Sequence, residues 1–456
     1  MAENIDLFIE SPGAYYPQDF SLKTLNFLTA SGQRIEIKKL LVEMSYYEDI
    51  YSFVASGYIT LVDAQGFIEL MRLTGNEFIE VNFGKVKDGK NLNDQLFRVY
   101  KSSARKPSGN QNSEVYTLYF CSEELLLSEQ NKISKSFKGN KISNIVNNIL
   151  TDKLKVKSTK IDKIEETTGL YDFVIPNMKP FEAISWVSTY ARPAAYPGAD
   201  MLFFETKNGF AFRSLQSMFK DNVYATYKYE AKNIDDKTQS FQEKTITVLD
   251  YEISKPFDVL NEISSGTLSN RLISIDPLTR TFKKTDFDYE KFKTKAKSLN
   301  ANGVQDTLQN RLGKKENESY DGVLKVVIGN SNQKQVSYVK EREAGVAQDI
   351  FVETYIPNRT AQISLANYTV IKATIPGDPG ITAGRTINFN LLTLKPGQER
   401  DLDKFYSGKY LVTAVRHIIQ SQGVYQTVLE IVKDSTPTAY SSINNNSSNW
   451  KAAVNE

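Results

Sequence analysis

Residues 46–84 read YYEDIYSFVASGYITLVDAQGFIELMRLTGNEFIEVNFG, and their pattern decides the fold class. Turn residues divide the stretch at Asp63-Ala64-Gln65-Gly66 and at Thr74-Gly75-Asn76. Three strands are expected around them, from Phe53 to Leu61, from Phe67 to Leu73 and from Glu77 to Phe83. The last alternates cleanly, with Ile79, Val81 and Phe83 on one face and Phe78, Glu80 and Asn82 on the other. Successive side chains on a strand point to opposite faces, so period two marks a half-buried antiparallel strand. Nothing in the stretch requires chemistry. It reads as scaffold.

Further strands flank it. Arg34 to Ile37 precedes it, behind a Pro- and aromatic-rich arm, Ser11-Pro12-Gly13-Ala14-Tyr15-Tyr16-Pro17, that either clasps a neighbour or lies on its own domain. After Phe83, Gly84 to Asn91 has the glycine and lysine spacing of a phosphate-binding loop. Asn91 stands where the magnesium-binding hydroxyl belongs, and a strand follows instead of a helix, so the segment reads as a turn. Glu114 to Cys121 closes this β unit.

The character changes from about residue 129. Ile142, Ile145, Val146, Ile149 and Leu150 make one apolar helical face. Lys153 to Lys157 alternates, and its lysines suit a blunted sheet edge. Pro180 opens a second helix that ends at Arg192-Pro193, with Phe181 and Trp186 as core anchors. Residues 201–215 form a hairpin around Asn208-Gly209, a turn in which both residues are expected at positive φ. A strand runs from Thr245 to Ile253. From Lys283 to about Lys315 the chain is charged and weakly periodic, which suggests an exposed helix or a mobile insertion. The β pattern returns from Tyr368 to Thr374, from Arg385 to Asn390, and in a long hairpin of Lys409 to Ile419 and Val424 to Val432. The Ser/Asn-rich tail after Ser435 is too polar to order itself.

Composition excludes several functions. The chain has 456 residues, with 56 basic and 54 acidic side chains. That balance argues against a nucleic-acid reader that depends on phosphate neutralisation. The single cysteine, Cys121, cannot form an intramolecular disulfide and suits a small buried hydrophobe. The acidic N-terminus lacks the basic segment of a secretory signal, and no apolar run approaches the roughly 20 residues of a membrane span. No membrane insertion and no cofactor are expected. The carboxylate pairs Glu123-Glu124, Glu165-Glu166 and Asp235-Asp236 are read as solvated charge, since neighbours on a strand face opposite ways. His417, the only histidine, sits in mid-strand and suits neither a triad nor a zinc site. No enzyme is expected.

Two parts of the chain echo each other. Gly75 precedes a strand ending Asn82-Phe83, then a strand at Leu96 to Tyr100 and a closing strand to Cys121. Gly384 precedes a strand ending Asn388-Phe389, then Tyr410 to Ile418 and a closing strand to Val432. This layout suggests two copies of one small β-barrel. The fold class is accordingly α+β and mainly β, with two similar antiparallel barrels and an inserted α/β region. The first barrel is assigned to residues 1–128. The α/β domain with its charged insertion takes 129–200 and 250–350. The second barrel takes 201–249 and 351–434, and 435–456 is a disordered tail.

The chain resembles the central baseplate hub proteins of contractile-tailed bacteriophages, including the hub of the T-even coliphages and the hub half of the type VI secretion spike. The resemblance lies in Gly57 to Asp63 with Gly75 to Val81, in the helix from Asn177 to Val187, in the hairpin from Phe203 to Gly209, and in the closing strand pair from Tyr406 to Asp434. The segment around Lys283 to Lys340 departs from the compact family pattern. The resemblance implies a homotrimer whose barrels form a pseudo-sixfold ring, joining a hexameric tail tube to a trimeric central spike, with a channel through which DNA passes as cargo. Other expected partners are the wedge proteins of the baseplate. The expected location is the virion tail baseplate, assembled in the host bacterial cytoplasm. Tyr440 and Trp450, isolated aromatics in the polar tail, are the candidate spike contacts. The alternative is a tail-associated protein that binds or hydrolyses cell-wall polysaccharide.

Overall fold

The computed structural model of the chain describes residues 21–64, 66–67, 73–84, 95–103, 105–107, 113–229, 246–256, 258–276, 280–303, 322–328, 352–393, 402–421 and 423–437. The N-terminal arm, the segment 85–91 and residues 438–456 lie outside these.

The first barrel contains β1 (Ser21–Leu28), β2 (Arg34–Glu36), β3 (Leu41–Asp49), β4 (Ser56–Asp63), β5 (Phe78–Gly84), β6 (Gln95–Ser102), β7 (Lys106–Pro107) and β8 (Glu114–Cys121). They run in the order β3-β4-β8-β6-β5-β1-β2, with β7 on β8. The alternation of β5 is realised, since Ile79, Val81 and Phe83 enter the core with Ile59, Leu118 and Phe120. The expected first strand begins later, at Ser56. Phe53 lies in the preceding turn and stacks on Phe181 at 5.6 Å. Of the expected middle strand, residues 68–72 lie outside the described residues. Phe67 itself is buried, edge-on to Phe27 at 5.3 Å.

An α/β region follows. It holds β9 (Ile133–Asn140), β10 (Ile161–Ile164), β11 (Tyr171–Met178), β12 (Met201–Thr206) and β13 (Gly209–Ser214), with helices at Glu123–Gln130, Ile142–Asn148 and Pro180–Ser188. The apolar face of Ile142, Ile145, Val146, Ile149 and Leu150 is buried as its spacing requires. Residues 153–157 are not a strand. The Ile149–Lys153 turn is π-helical, and Lys155 takes φ 55°. Leu154 and Val156 still point inward, so the alternation survives without a sheet.

The β12-β13 hairpin is buried on both faces. Phe203, Phe210 and Phe212 join the α/β core, while Leu202, Phe204 and Ala211 join the second barrel. Of its two turn residues only Gly209 has positive φ, at 121°. A Cβ there would collide with the Lys160 carbonyl, because β10 packs against β13.

After a Leu215–Lys220 helix come β14 (Val223–Tyr229) and β15 (Asp250–Lys255). A second excursion carries β16 (Ser269–Asp276), β17 (Thr281–Asp288), β18 (Asn302–Gly303) and β19 (Leu324–Ile328), with helices at Val259–Ser265, Tyr289–Lys293 and Val352–Ala366. The charged stretch beginning at Lys283 opens as a strand and continues into the short Tyr289–Lys293 helix, not as one exposed helix. Residues 283–288 pair with β16, and Phe287 and Tyr289 anchor a small core.

β20 (Thr369–Pro376), β21 (Thr386–Leu391), β22 (Gly408–Gln420) and β23 (Val424–Lys433) complete the second barrel, and β24 (Ser435–Thr436) pairs with β18. Ser435 and Thr436 are buried, so the start of the expected tail is ordered. β15 pairs with β20 and so stands in the large sheet with the second barrel, although the sequence groups residues from 250 with the α/β region. Val248 N–H donates to the Lys228 carbonyl at 2.9 Å and closes the ring between β15 and β14.

The two barrels have one topology. β1-β5-β6-β8-β4-β3 and β14-β21-β22-β23-β20-β15 match in neighbour order and in chain order. They differ in one pair: β1 is antiparallel to β5, whereas β14 is parallel to β21. The internal echo is a structural repeat, with Phe83 and Phe389 buried at corresponding places.

Candidate functional site

Among the described residues, the barrels pair strands along one seam. β22 has 13 residues, about 44 Å at ~3.4 Å per residue. Its first half pairs with β21 in the second barrel. Its second half pairs with β3 of the first, from Ala414 opposite Asp49 to Gln420 opposite Glu43. Both barrels thus share one continuous sheet. The end of the β22-β23 hairpin enters the first core, where Tyr425 lies edge-on to Phe83 at 5.4 Å.

Buried polar groups fasten this seam. Glu48 on β3 accepts the Lys207 N–H at 2.6 Å, the Ala383 N–H at 3.0 Å and the Tyr46 hydroxyl at 3.1 Å. One carboxylate therefore ties the first barrel, the β12-β13 hairpin and the second barrel together. Burial pushes its pKa up to about 7, against the lowering by these donors. Beside it, Lys160 bridges Glu124 at 2.6 Å and Glu205 at 3.2 Å, and Glu205 accepts the Ala55 N–H at 2.9 Å. Asp378 accepts the hydroxyls of Tyr224 at 3.1 Å and Tyr227 at 3.0 Å. Removing a partner from such a network strands a buried charge, at a cost of about 3–5 kcal/mol.

The outer face of the first barrel carries a row of partly exposed tyrosines. Tyr47, Tyr58, Tyr119 and Tyr100 stand on neighbouring strands, with ring centroids 6.2–6.4 Å apart. Arg416 lies over Tyr47 at 5.5 Å, and Lys101 over Tyr119 at 5.3 Å. Arg416 also reaches the Tyr58 hydroxyl at 2.9 Å. Tyrosine and arginine dominate the energetic centres of protein interfaces, because they offer large, stiff, amphipathic contact area.

Of the groups weighed as catalytic from the sequence, His417 lies in the seam itself and Glu124 in the network beside it. His417 is fully buried in β22. Its Nδ1 meets the Tyr425 hydroxyl at 2.9 Å and the Thr427 hydroxyl at 3.3 Å, and burial depresses its pKa to about 3. Cys121 is buried and its thiol is pushed up to about 12. Glu123 and Glu124 open a helix instead of lying on a strand, and Glu124 is bound by Lys160. Glu165 accepts from Ser214 at 2.7 Å, and Glu166 pairs with Lys141 at the surface. Asp235 and Asp236 lie outside the described residues, as do the proposed spike contacts Tyr440 and Trp450. Among the described residues, no group of three His, Cys, Asp or Glu side chains could hold a metal ion, and no helix is long and apolar enough to cross a membrane.

Sequence reading missed β3, the strand on which the seam depends. Met44, Tyr46 and Glu48 are buried on one face, but Glu48 is a charge, and Ser45 on the other face is buried against Arg416, so the apolar alternation is blurred in the sequence.

Fold and seam define a duplicated-barrel protein with α/β excursions. The chain is 24% identical over 410 residues to the probable baseplate hub protein gp334 of Vibrio phage KVP40, covering 88% of this chain and 91% of that one. It shares its fold with the tail protein of Neisseria meningitidis MC58, with a TM-score of 0.52 at 10% identity, over 91% of this chain and 97% of that one. The 43 kDa tail protein of prophage MuSo2 from Shewanella oneidensis gives a TM-score of 0.52 at 9% identity, over 91% and 99%. No family model matches the chain. The resemblance to phage baseplate hub proteins drawn from sequence is borne out by the relative, and the mainly β fold by the two solved structures.

Proposed function

We propose that this chain is the structural hub of a contractile phage tail baseplate, a non-enzymatic part of the virion assembled in the host cytoplasm. The observation that supports it most is the pairing of two barrels of one topology along the β3-β22 seam. Three such chains around one axis place six similar barrels in a ring, which adapts threefold to sixfold symmetry. The ring joins the tail tube to the central spike, with wedge proteins around it, and leaves a channel for DNA. The row of Tyr47, Tyr58, Tyr119 and Arg416 serves as a protein-binding face in that assembly.

Light scattering on the purified chain, alone and with its spike protein, tests the reading. A species of roughly 155 kDa, three copies of the 51.6 kDa chain, with a ring-shaped top view in images, is expected. A chain that stays monomeric in both samples overturns it.

A further inference from the structure

We infer that neighbouring copies of this chain join by strand pairing, the β15 edge of one copy against the β6-β7 edge of the next. This contact closes the threefold ring of the hub reading and rests on that reading. It repeats between copies the seam that β3 and β22 make within one copy.

β6 and β7 together correspond to β22. β6 leaves β5 after Arg98, and Val99 N–H donates to the Glu77 carbonyl at 3.0 Å. β22 leaves β21 after Leu411, and Val412 N–H donates to the Arg385 carbonyl at 2.8 Å. A register break follows at the same place, between Val99 and Lys101 against β8 and between Val412 and Ala414 against β23. β7 then continues along β8 as the second half of β22 continues along β23. In β22 the edge that β21 has left takes β3 and forms the seam. In β6 and β7 the same edge has no partner strand among the described residues. β15 in turn corresponds to β3, since β15 pairs antiparallel with β20 as β3 does with β4. β3 gives its second edge to the seam, whereas that edge of Asp250–Lys255 meets no strand among the described residues. Unpaired edges carry unused N–H and C=O groups and recruit further strands. A head-to-tail contact of this kind closes into a ring when its rotation permits.

The seam also sets the register. Ser45, Tyr58 and Tyr119 lie opposite one another across β3, β4 and β8, as Glu252, Lys372 and Glu430 do across β15, β20 and β23. Tyr119 and Glu430 each pair with the residue just after the register break. Ser45 faces Ile418 in the seam, and Ile418 faces Gln426 on β23 as Lys106 faces Val115 on β8. Glu252 therefore falls opposite Lys106 of the next copy. Both side chains are exposed, and neither has an ion pair among the described residues. Opposite charges directly across a strand pair favour it.

The test oxidises the full-length variant Lys106→Cys/Glu252→Cys, mixed with its spike protein, with copper phenanthroline. Opposed residues of an antiparallel pair lie ~4.5–5.5 Å apart, within reach of a disulfide. Covalent trimers on a non-reducing denaturing gel are expected, and monomers from either single variant. Lys106→Glu alone should raise the concentration for half-assembly at least about tenfold, and adding Glu252→Lys should restore it. Thermal melting confirms that each variant is folded. A threefold species in light scattering that gives no covalent trimer, or no rescue by the charge exchange, overturns this pairing and leaves the hub reading standing. Absence of any threefold species from the unaltered chain with its spike overturns both.

Discussion

Phe83 and Phe389 hold the same place in the two barrels. Each is fully buried on a strand preceded by a positive-φ glycine, Gly75 at 85° and Gly384 at 82°. Each meets a tyrosine ring edge-on: Tyr425 for Phe83 at 5.4 Å, and Tyr410 for Phe389 at 5.9 Å. Phe83→Ala and Phe389→Ala should each cost about 3–5 kcal/mol. Their cores are distinct, so the double variant should add within about 0.5 kcal/mol. Urea unfolding of the four proteins checks this, and a large shortfall would mean that the seam couples the cores.

Gly377 accepts the Tyr425 ring against its backbone, where a Cβ would overlap the ring carbons. Gly377→Ala should cost about 1–3 kcal/mol through overpacking. Adding Tyr425→Leu should remove most of that increment. If the alanine costs as much without the ring, the close approach is not the cause.

Glu48 makes the seam sensitive to pH. Its folded value of about 7 lies above the ordinary 4.5, so the folded chain keeps the proton to higher pH than the unfolded chain. The resulting stabilisation is full below pH 4.5 and is lost as pH rises through about 7. Glu48→Gln, neutral throughout, should flatten that limb of the stability profile. Glu48→Ala strands the Lys207 and Ala383 N–H groups and should cost about 3 kcal/mol or more. Urea midpoints across the pH range report both.

His417 acts in the opposite sense. Its folded value of about 3 lies below the ordinary 6.5. Unfolding therefore takes up a proton in acid, and stability present above pH 6.5 falls as pH drops toward 3. His417→Leu should abolish this acid limb, at a cost of about 1 kcal/mol for the lost Tyr425 hydrogen bond. Between pH 4.5 and 6.5 the Glu48 and His417 effects oppose each other, so each must be measured in the other's absence.

Tyr119→Ala with Arg416→Ala should spare the fold but weaken assembly. Both side chains face outward and are only partly buried. A loss of stability within about 1 kcal/mol is expected, together with loss of the higher-mass species in light scattering. Unchanged assembly would remove this row from the proposed interface.

The sequence by itself determined the strands that have one wet face and one dry face. β5 and β23 keep period two because only one side of each enters a core. It also showed the apolar face of residues 142–150 and the echo that the two topologies confirm. It could not reveal β3, whose core face carries the charged Glu48 beside Met44 and Tyr46 and whose other face buries Ser45 against Arg416. Nor could it show that Glu48 and Ala383 meet, because that contact spans 335 positions. Charge misled it from Lys283 to Asp288, where both lysines are exposed while Phe287 anchors the strand in a small core. Alternation is a local property that burial on one side writes into the chain. The seam arises where the edges of β3 and β22, far apart in the chain, pair, and only the tertiary structure decides which edges meet.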